Sequence, residues 1–588
     1  MNTIDWVVLC VTLLFIALYG MWKSRGMKNI DGYLLADKKL PWYQVGLSVM
    51  ATQASAITFL SAPGLAYADG IRFVQFYFGL PLAMIVICIV FIPMFKKMNV
   101  YTAYEYLEGR FDSKTRSFTA FLFLLQRGLS TGITIYAPSI ILSTILNIDI
   151  IYTTFIMGGI VILYTVYGGT KAVSYTQMLQ MAIIFSGLFM AAYMVVYMLP
   201  ANVGLGDALH IAGKMGKLNA IDTQFDWNNN YNIWSGIIGG FFLQLSYFGT
   251  DQSQVGRYLT GKSVTQSRLG LVMNGLVKIP MQFFILLIGT LVFVFYQFNT
   301  PPIFFNSVEV SQIKESQYAE AFNEQEKRFE TVHANRQQYV VGLVNALDAD
   351  DDAKVDEIRE VLAQSKVQEK EVRDSAVSLI AANNVLVADN AAAAKNDSNY
   401  VFLSFVTQYL PHGLVGLLMA IIFLAAMGST ASGLNSLAST FIVDFYKRFG
   451  KKGRSEKSDL NASRWATVAW GFFCMIVALY AAKLGNLIEA VNILGSLFYG
   501  VILGIFITAF FAKHVKGTAV FFAAIVGEIF VVVFWQAKEL STFIIKVLEL
   551  EMEPFKGISF LWLNLIGCVL VFLFAILLQE VLPKEEKQ

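Results

Sequence analysis

Three ionisable residues sit inside stretches that are otherwise apolar: Arg127 in LLQRGLSTG, Asp251 in FGTDQSQ and Lys278 in GLVKIP. In a bilayer a charge of this kind costs on the order of 2.5 to 3.5 kcal/mol on insertion scales, so each is expected to have a partner or a task. The guanidinium fork of Arg127 can hold a carboxylate through two parallel hydrogen bonds, with a structural ion pair as the equal alternative. Lys278 suits substrate contact, or pairing or snorkelling, and Asp251 suits gating or helix pairing. Two stretches, GLSVMATQASAITFLSAPGLAYADG and GGFFLQLSYFGTDQSQVGRY, mix small residues with Thr52, Gln53, Thr58, Gln244, Thr250 and Asp251. Close helix packing accounts for the small residues but not for the polar ones. Helices that unwind in mid-membrane account for both, and they are the pointer to a solute-binding site in a secondary transporter. Catalysis is not expected, because His210, His333, His412 and His514 are scattered over loops and span ends and no nucleophile, base and orienter converge.

The elements that must hold these residues follow from composition. The chain has 588 residues, of which 56% are hydrophobic and 15% charged, against about 25% charged in soluble domains. Its formal net charge of +2 conceals a segregation. Residues 306–400 carry 18 acidic and 10 basic residues, a net of −8, and the other 493 carry a net of +10. No basic domain is left to neutralise phosphates, which argues against nucleic-acid binding. Apolar stretches of about 20 residues or more predict thirteen membrane helices, near 5–22, 43–66, 72–97, 116–146, 150–168, 174–199, 233–256, 268–298, 412–447, 461–483, 488–512, 516–537 and 558–580. Backbone polar groups in lipid must pair within their own segment, so these are helices.

Asp5 precedes the first stretch and Lys23, Arg25 and Lys28 follow it, which reads as a retained span with its N-terminus outside. Every second loop then carries the basic residues, including Lys96, Lys97, Arg110, Lys171, Arg257 and the cluster Lys447, Arg448, Lys451, Lys452, Arg454 and Lys457. That pattern predicts an inner-membrane, multi-pass protein with a cytoplasmic C-terminus near Lys584 and Lys587. The acidic segment 306–400 falls outside, between spans eight and nine, and reads as a solvent-exposed hairpin of two polar helices interrupted at LDADDDAK. The DADDD run lacks the glycine and terminal glutamate of a Ca²⁺ loop and suits the start of a helix instead. Cys10, Cys88, Cys474 and Cys568 lie in apolar runs without metal or disulfide spacing.

The interrupted spans are the second and the seventh, so spans 2–6 and 7–11 form two blocks of five that each open on a broken helix. The expected fold class is an all-α integral membrane protein with a five-plus-five inverted-repeat core of the leucine-transporter type and an extracytoplasmic helical insertion. The chain divides accordingly. Residues 1–42 hold a peripheral first span, 43–200 the first repeat and 201–232 an external loop. Residues 233–305 and 401–512 make the second repeat around the insertion at 306–400, and 513–588 hold peripheral spans and the tail.

At this point the sequence resembles the sodium:solute symporters, a family that includes glucose, iodide, monocarboxylate and multivitamin transporters. The resemblance covers nearly all of residues 1–540. It is carried by ASAITFLSAPGLAYADG, YTAYEYLEGRF, IYAPSIIL, YGGTKAVSYTQMLQ, TDQSQVGRYL and MGSTASGLNSLASTFIVDFY. The YEYLEGRF and IYAP runs look closer to the iodide, monocarboxylate and multivitamin branch than to the sugar branch. The resemblance implies Na⁺ as coupling ion, bound by the backbone carbonyls of Ala51, Ala54 and Ala425 and the hydroxyl of Ser429. The family's second hydroxyl position falls on Gly428, with Thr430 the nearest replacement. A further sodium site of some members uses an Asp where this chain has Gln177 and a serine where it has Ala431, so one Na⁺ per substrate is expected. The resemblance makes Tyr247 and Phe248 an inner gate, with aromatic core packing as the competing reading.

Gln53, Thr58, Gln75, Tyr77, Arg127, Gln244, Lys278 and Asn492 are the candidate substrate-binding residues. Most of the pattern that galactose-type members use is missing: Thr58, Tyr77 and Leu80 replace a Gln, a Glu and a Ser. A pocket built for a pyranose discriminates strongly by its hydrogen bonds. A small organic anion, a monocarboxylate or an acidic sugar, is therefore the expected substrate, with a sugar or polyol as the alternative. A solute sensor using the hairpin to bind an extracytoplasmic partner is the alternative of another class. The C-terminal LPKEEKQ offers no room for a cytoplasmic signalling domain.

Overall fold

A computed structural model describes residues 1–24, 36–98, 100–388, 397–449, 455–548, 552–555 and 557–582. Arg25, Lys28, Lys451, Lys452, Arg454, Lys584 and Lys587, which carry part of the charge pattern, lie outside them. Among the described residues the structure is helical apart from one isolated bridge between Leu40 and Gly261.

Among the described residues ten helices are long and apolar enough to cross a bilayer: Thr3–Gly20, Ile71–Met98, Ser113–Leu146, Thr170–Tyr197, Val264–Phe298, Leu414–Phe449, Lys457–Tyr480, Leu487–Phe511, Gly517–Trp535 and Phe560–Val581. Three expected crossings are absent from that group for physical reasons. The second is a bent pair, Trp42–Gln53 and Ala56–Asp69, with 59° between its halves. The fifth, Ile150–Val166, is short. The seventh is broken into a π-helical turn at Ser235–Gly239 and two α-helices, Gly240–Thr250 and Gln252–Leu259. Counting the bent pair gives eleven, and the short fifth and broken seventh helices stand where the other two of the thirteen expected crossings fall. Helical geometry runs from Ile150 to Tyr197, yet the hydroxyls of Tyr164 and Thr176 lie 2.5 Å apart. Twelve residues of straight helix would separate them by about 18 Å, so the chain doubles back between the fifth and sixth crossings.

The breaks occur where the polar residues among the small ones predict. At the end of Trp42–Gln53 the backbone leaves the helix at Ala54 and is extended at Ser55. In the seventh span Asp251 is extended, and its carboxylate accepts from Ser253 N at 2.8 Å, capping Gln252–Leu259. The second span's Ala56–Asp69 half presses closely on the eighth: a Cβ on Gly289 would stand 2.1 Å from the Pro63 carbonyl oxygen, which only glycine permits. The ninth span is apolar or small on nearly every face and is buried along its length from Leu414 to Thr440, the place of a helix at the centre of a bundle. Its start is tied to the first span, since Gly413 N donates to Asp5 Oδ1 at 2.6 Å.

The insertion is a helical hairpin, Ala319–Asp348 and Asp352–Ala388, turning at the predicted interruption, where Asp350 has φ 51°. Small apolar cores hold the helices together, one around Phe322, Phe329, Val372 and Ala376 and another around Val340, Leu343, Val355 and Leu362. The expectation of a solvent-exposed hairpin holds for its outer faces only. One face lies against the membrane domain: Arg359 Nε donates to the Lys214 carbonyl at 3.1 Å, and cavities between hairpin and domain are lined by both.

Candidate functional site

A cavity of about 90 Å³ lies at the second-span break, lined on either side of it by Thr52, Gln53, Ser55 and Thr58. The seventh span contributes Gln244 and Tyr247, the third Tyr77, the ninth Ser429 and the eleventh Asn492 and Tyr499. Arg127, Ser130 and Thr134 line it from the fourth span, at the i, i+3, i+7 spacing of one helix face. This volume is well under the 300 Å³ of a typical small-molecule pocket, so a solute of ten or more heavy atoms requires lining side chains to move.

The break supplies oxygen donors. In an unbroken helix the Ser55 and Thr58 N–H groups would occupy the carbonyls of Ala51 and Ala54. Here Ser55 N donates to Gln53 O and Thr58 N to Ser55 O, both at 3.0 Å, so the Ala51 and Ala54 carbonyls lose those partners. The Ser429 hydroxyl bonds back to Ala425 O at 2.8 Å and Ala426 O at 3.2 Å, keeping its lone pairs available. Thr430 Oγ1 is buried without a partner. Freed carbonyls and neutral hydroxyls are the donor chemistry a hard monovalent cation takes, so the Ala51, Ala54 and Ala425 carbonyls with Ser429 fit Na⁺, whereas Thr430, one residue round the helix from Ser429, does not line the cavity. At Gly428, where the resemblance asks for a hydroxyl, a Cβ would stand 2.6 Å from Gln180 Oε1; the Gln180 amide fills that space.

Gln177 stands where the resemblance puts the acidic residue of a further sodium site. Its Nε2 donates to Thr52 Oγ1 at 3.2 Å, Gly428 O at 3.1 Å and Ser432 Oγ at 3.0 Å, while Oε1 accepts from Ser48 Oγ at 2.6 Å. The amide group thus makes the oxygen contacts that a cation would make there. Ala431 adds no oxygen to this cluster.

Arg127 both lines the cavity and faces a carboxylate: Nη1 is 3.7 Å from Asp251 Oδ2, and both side chains are buried. Asp251 Oδ2 also accepts from Tyr499 Oη at 2.9 Å, which in turn accepts from Gln126 Nε2 at 3.2 Å. Arg127 Nε has no partner. One flank of the guanidinium is therefore neutralised and the other remains a donor for an incoming acceptor.

Three expected site residues stand elsewhere. Gln75 is spent on the loop that covers the third span, donating to Tyr231 O at 2.8 Å and accepting from Asp222 N at 3.0 Å. Lys278 is fully buried behind the cavity wall, its Nζ 5.7 Å from the centre of the Tyr77 ring and without a hydrogen-bond partner. Phe248 is buried beside Tyr247 with ring centroids 4.9 Å apart, but only Tyr247 lines the cavity, because neighbours on a helix point about 100° apart. The Tyr247 hydroxyl accepts from Gln254 Nε2 at 2.7 Å across the seventh-span break. Sequence reasoning overlooked Ser130 and Thr134, whose spacing from Arg127 was a readable signal, and Tyr499, the one tyrosine of span eleven.

The sequence profile of the sodium:solute symporter family matches residues 33–318 and 375–527. This chain belongs to that family. The unmatched gap, 319–374, falls on the hairpin, which is thus an addition to the symporter core. The sodium/iodide cotransporter of Homo sapiens is 30% identical over 273 residues, 46% of this chain and 42% of that protein, so the match spans under half of that relative. The sodium/sialic acid symporter of Proteus mirabilis (strain HI4320) is 24% identical over 546 residues, 92% of this chain and 91% of that protein. A solved Na⁺-coupled sialic acid symporter in a substrate-bound outward-open state superposes with a TM-score of 0.72 at 21% identity, covering 99% of this chain and 98% of that one. That likeness establishes the inverted-repeat fold. Na⁺ is the coupling ion of this family of small-solute transporters, and the apolar helices make this member a multi-pass membrane protein.

Proposed function

We propose that this symporter takes up a small organic anion, a monocarboxylate or an acidic sugar, with one Na⁺ per substrate. The observation that carries the reading is Arg127: a buried guanidinium with one flank on Asp251 and an unpartnered Nε, in the cavity that also holds the Ala51 and Ala54 break and Ser429. A carboxylate at Arg127 would complete its hydrogen bonds, and Gln53, Thr58, Gln244 and Asn492 suit hydroxyl or amide groups on the remainder of the solute. Na⁺ at Ala51, Ala54, Ala425 and Ser429 would join spans two and nine and complete the pocket before the solute arrives. Each ligand then raises the affinity for the other by the same factor. Tyr247 would swing aside for release inward, exchanging its bond from Gln254. The N-terminus and hairpin lie outside and the C-terminus in the cytoplasm, following the basic loops.

The test is uptake into proteoliposomes driven by an imposed Na⁺ gradient, comparing sialic acid, lactate and gluconate with glucose and a neutral polyol. Na⁺-dependent uptake of at least one acid, lost in Arg127→Gln, is expected. Uptake of a neutral sugar and of no acid would overturn the substrate class. It would favour the sugar reading, which the Vibrio parahaemolyticus sodium/glucose cotransporter, 25% identical over 528 residues, keeps in view.

A further inference from the structure

Two adjoining cavities of about 460 and 650 Å³ lie between the hairpin and the membrane domain, and they share a wall of Lys217, Phe293, Arg336 and Lys366. The hairpin segment is strongly acidic in sum, yet two of its cations, Arg336 and Lys366, stand on this shared wall without an acidic residue; beyond it the smaller cavity sets Lys370 and Arg373 against Asp69, Glu369, Asp374 and Asp397, of which Glu369 and Asp397 are already paired with Arg336 and Arg373.

The buried polar atoms at the wall are only partly used. Lys217 is buried; its Nζ donates to Tyr67 O at 2.7 Å and Ala68 O at 2.5 Å and lies 4.4 Å from the centre of the Phe293 ring. An ammonium has three hydrogens, so one remains, and no carboxylate pairs with it among the described residues. Arg336 is buried and paired through Nη1 with Glu369, but its Nε has no partner. His333, one turn earlier, is buried with Nδ1 2.9 Å from Glu369 Oε1. A carboxylate only accepts, so Nδ1 carries the hydrogen and Nε2, which has no partner, is an acceptor in the neutral ring. Gln297 Oε1, buried at the end of the eighth span, is a second acceptor without a partner. Buried polar atoms left unmet are rare and costly, and three of them, Arg336 Nε, His333 Nε2 and Gln297 Oε1, meet the spare Lys217 hydrogen at one cavity, which asks for a ligand.

We infer that this cleft is a binding site for a hydroxylated carboxylate, separate from the transport cavity. The carboxylate lies on Lys217 Nζ and Arg336 Nε, and hydroxyl groups donate to His333 Nε2 and Gln297 Oε1. Phe293 supplies an apolar side for the carbon skeleton, and the exposed Lys366 attracts the anion at the rim. A volume of about 460 Å³ fits a solute of sugar-acid size. On the proposed topology the cleft faces outside, where it would capture solute at the mouth of the symporter. The inference does not depend on what the inner cavity transports.

The test is equilibrium binding of radiolabelled gluconate to the purified full chain in K⁺ buffer without Na⁺. Gluconate is expected to bind, glucose at least tenfold more weakly, and hexanoate, which lacks the hydroxyls, more weakly than gluconate. Lys217→Met should weaken gluconate at least tenfold and Lys366→Glu, at the exposed rim where folding is not at stake, at least threefold. Absence of gluconate binding, equal binding of glucose, or unchanged affinity in Lys366→Glu would overturn the site. Binding that disappears in Arg127→Gln would belong to the transport cavity and would overturn it too.

Discussion

Replacing Asp251 with Asn isolates the charge that holds Arg127 in the membrane interior. The substitution keeps the cap on Gln252–Leu259, since an amide oxygen can still accept from Ser253 N. It removes the negative charge 3.7 Å from Arg127 Nη1 and one acceptor of the Tyr499 hydroxyl. At that distance and an effective dielectric constant of 20 the attraction is about 4.5 kcal/mol. Some is regained because Arg127 can turn toward the cavity, so a net loss of about 3 kcal/mol is expected, in line with breaking a buried pair. Arg127→Met, which strands the carboxylate instead, should cost a similar amount. The double variant leaves no uncompensated charge and should cost about 2 kcal/mol less than the two single losses together. Unfolding of the four proteins in detergent, titrated with sodium dodecyl sulfate, gives the cycle. Additivity within about 0.5 kcal/mol would show that the two residues do not form an energetic pair and would remove the argument that Arg127 keeps one flank for substrate.

Three other outcomes are expected. Ser429→Ala should raise the Na⁺ concentration for half-maximal uptake about tenfold while the wild-type Hill coefficient for Na⁺ stays near one; unchanged sodium dependence counts against the Ser429 site. Gln177→Glu replaces the amide hydrogens among Thr52, Gly428 and Ser432 with a carboxylate, and a Hill coefficient rising toward two is expected, whereas no change would mean the amide does not stand in a cation's place. Burial pushes the Lys217 ammonium down to about 7, with Lys366, Arg336 and Arg72 opposing its charge and Asp69 favouring it. A base whose pKa is lowered in the folded protein makes stability rise with pH from there toward its unfolded value near 10.4. Gluconate binding in the hairpin cleft should run the opposite way, at least fivefold weaker at pH 9 than at pH 6, and a flat profile would detach Lys217 from the ligand.

The fold was legible because membrane solvation forces its signals into the sequence. Lipid demands long apolar helices, so the crossings show as hydropathy. The two breaks show as oxygen-bearing residues among small ones at Thr52–Thr58 and Thr250–Asp251. The hairpin turn shows as acidic residues between two polar periodicities. The site was legible only where the helix face was. Arg127, Gln244, Tyr247 and Asn492 reach the cavity, but Gln75 lies within a stretch of altered helical pitch, Ile71–Tyr77 being a 3₁₀ helix that redirects its side chain to the loop at Asp222 and Tyr231. Lys278 has the right depth and the wrong azimuth, which no one-dimensional pattern reports. The Arg127 and Asp251 pair spans 124 residues and the cleft at Lys217 joins a loop to an insertion; both are products of tertiary packing.

The amide of Gln177 has an energetic reach well beyond its hydrogen bonds. If one Na⁺ enters with a monovalent anion, as proposed, no net charge moves, and the membrane voltage neither helps nor hinders the cycle. The accumulation ceiling is then the sodium concentration ratio alone: a tenfold ratio is worth about 1.4 kcal/mol and supports about tenfold enrichment of solute. A second Na⁺ would add the same again plus about 2.3 kcal/mol for each 100 mV, roughly 5 kcal/mol in all and an enrichment of several thousandfold. On the proposed one-to-one coupling, glutamine in place of a carboxylate at position 177 thus sets a low accumulation ceiling and a low sodium cost per solute molecule.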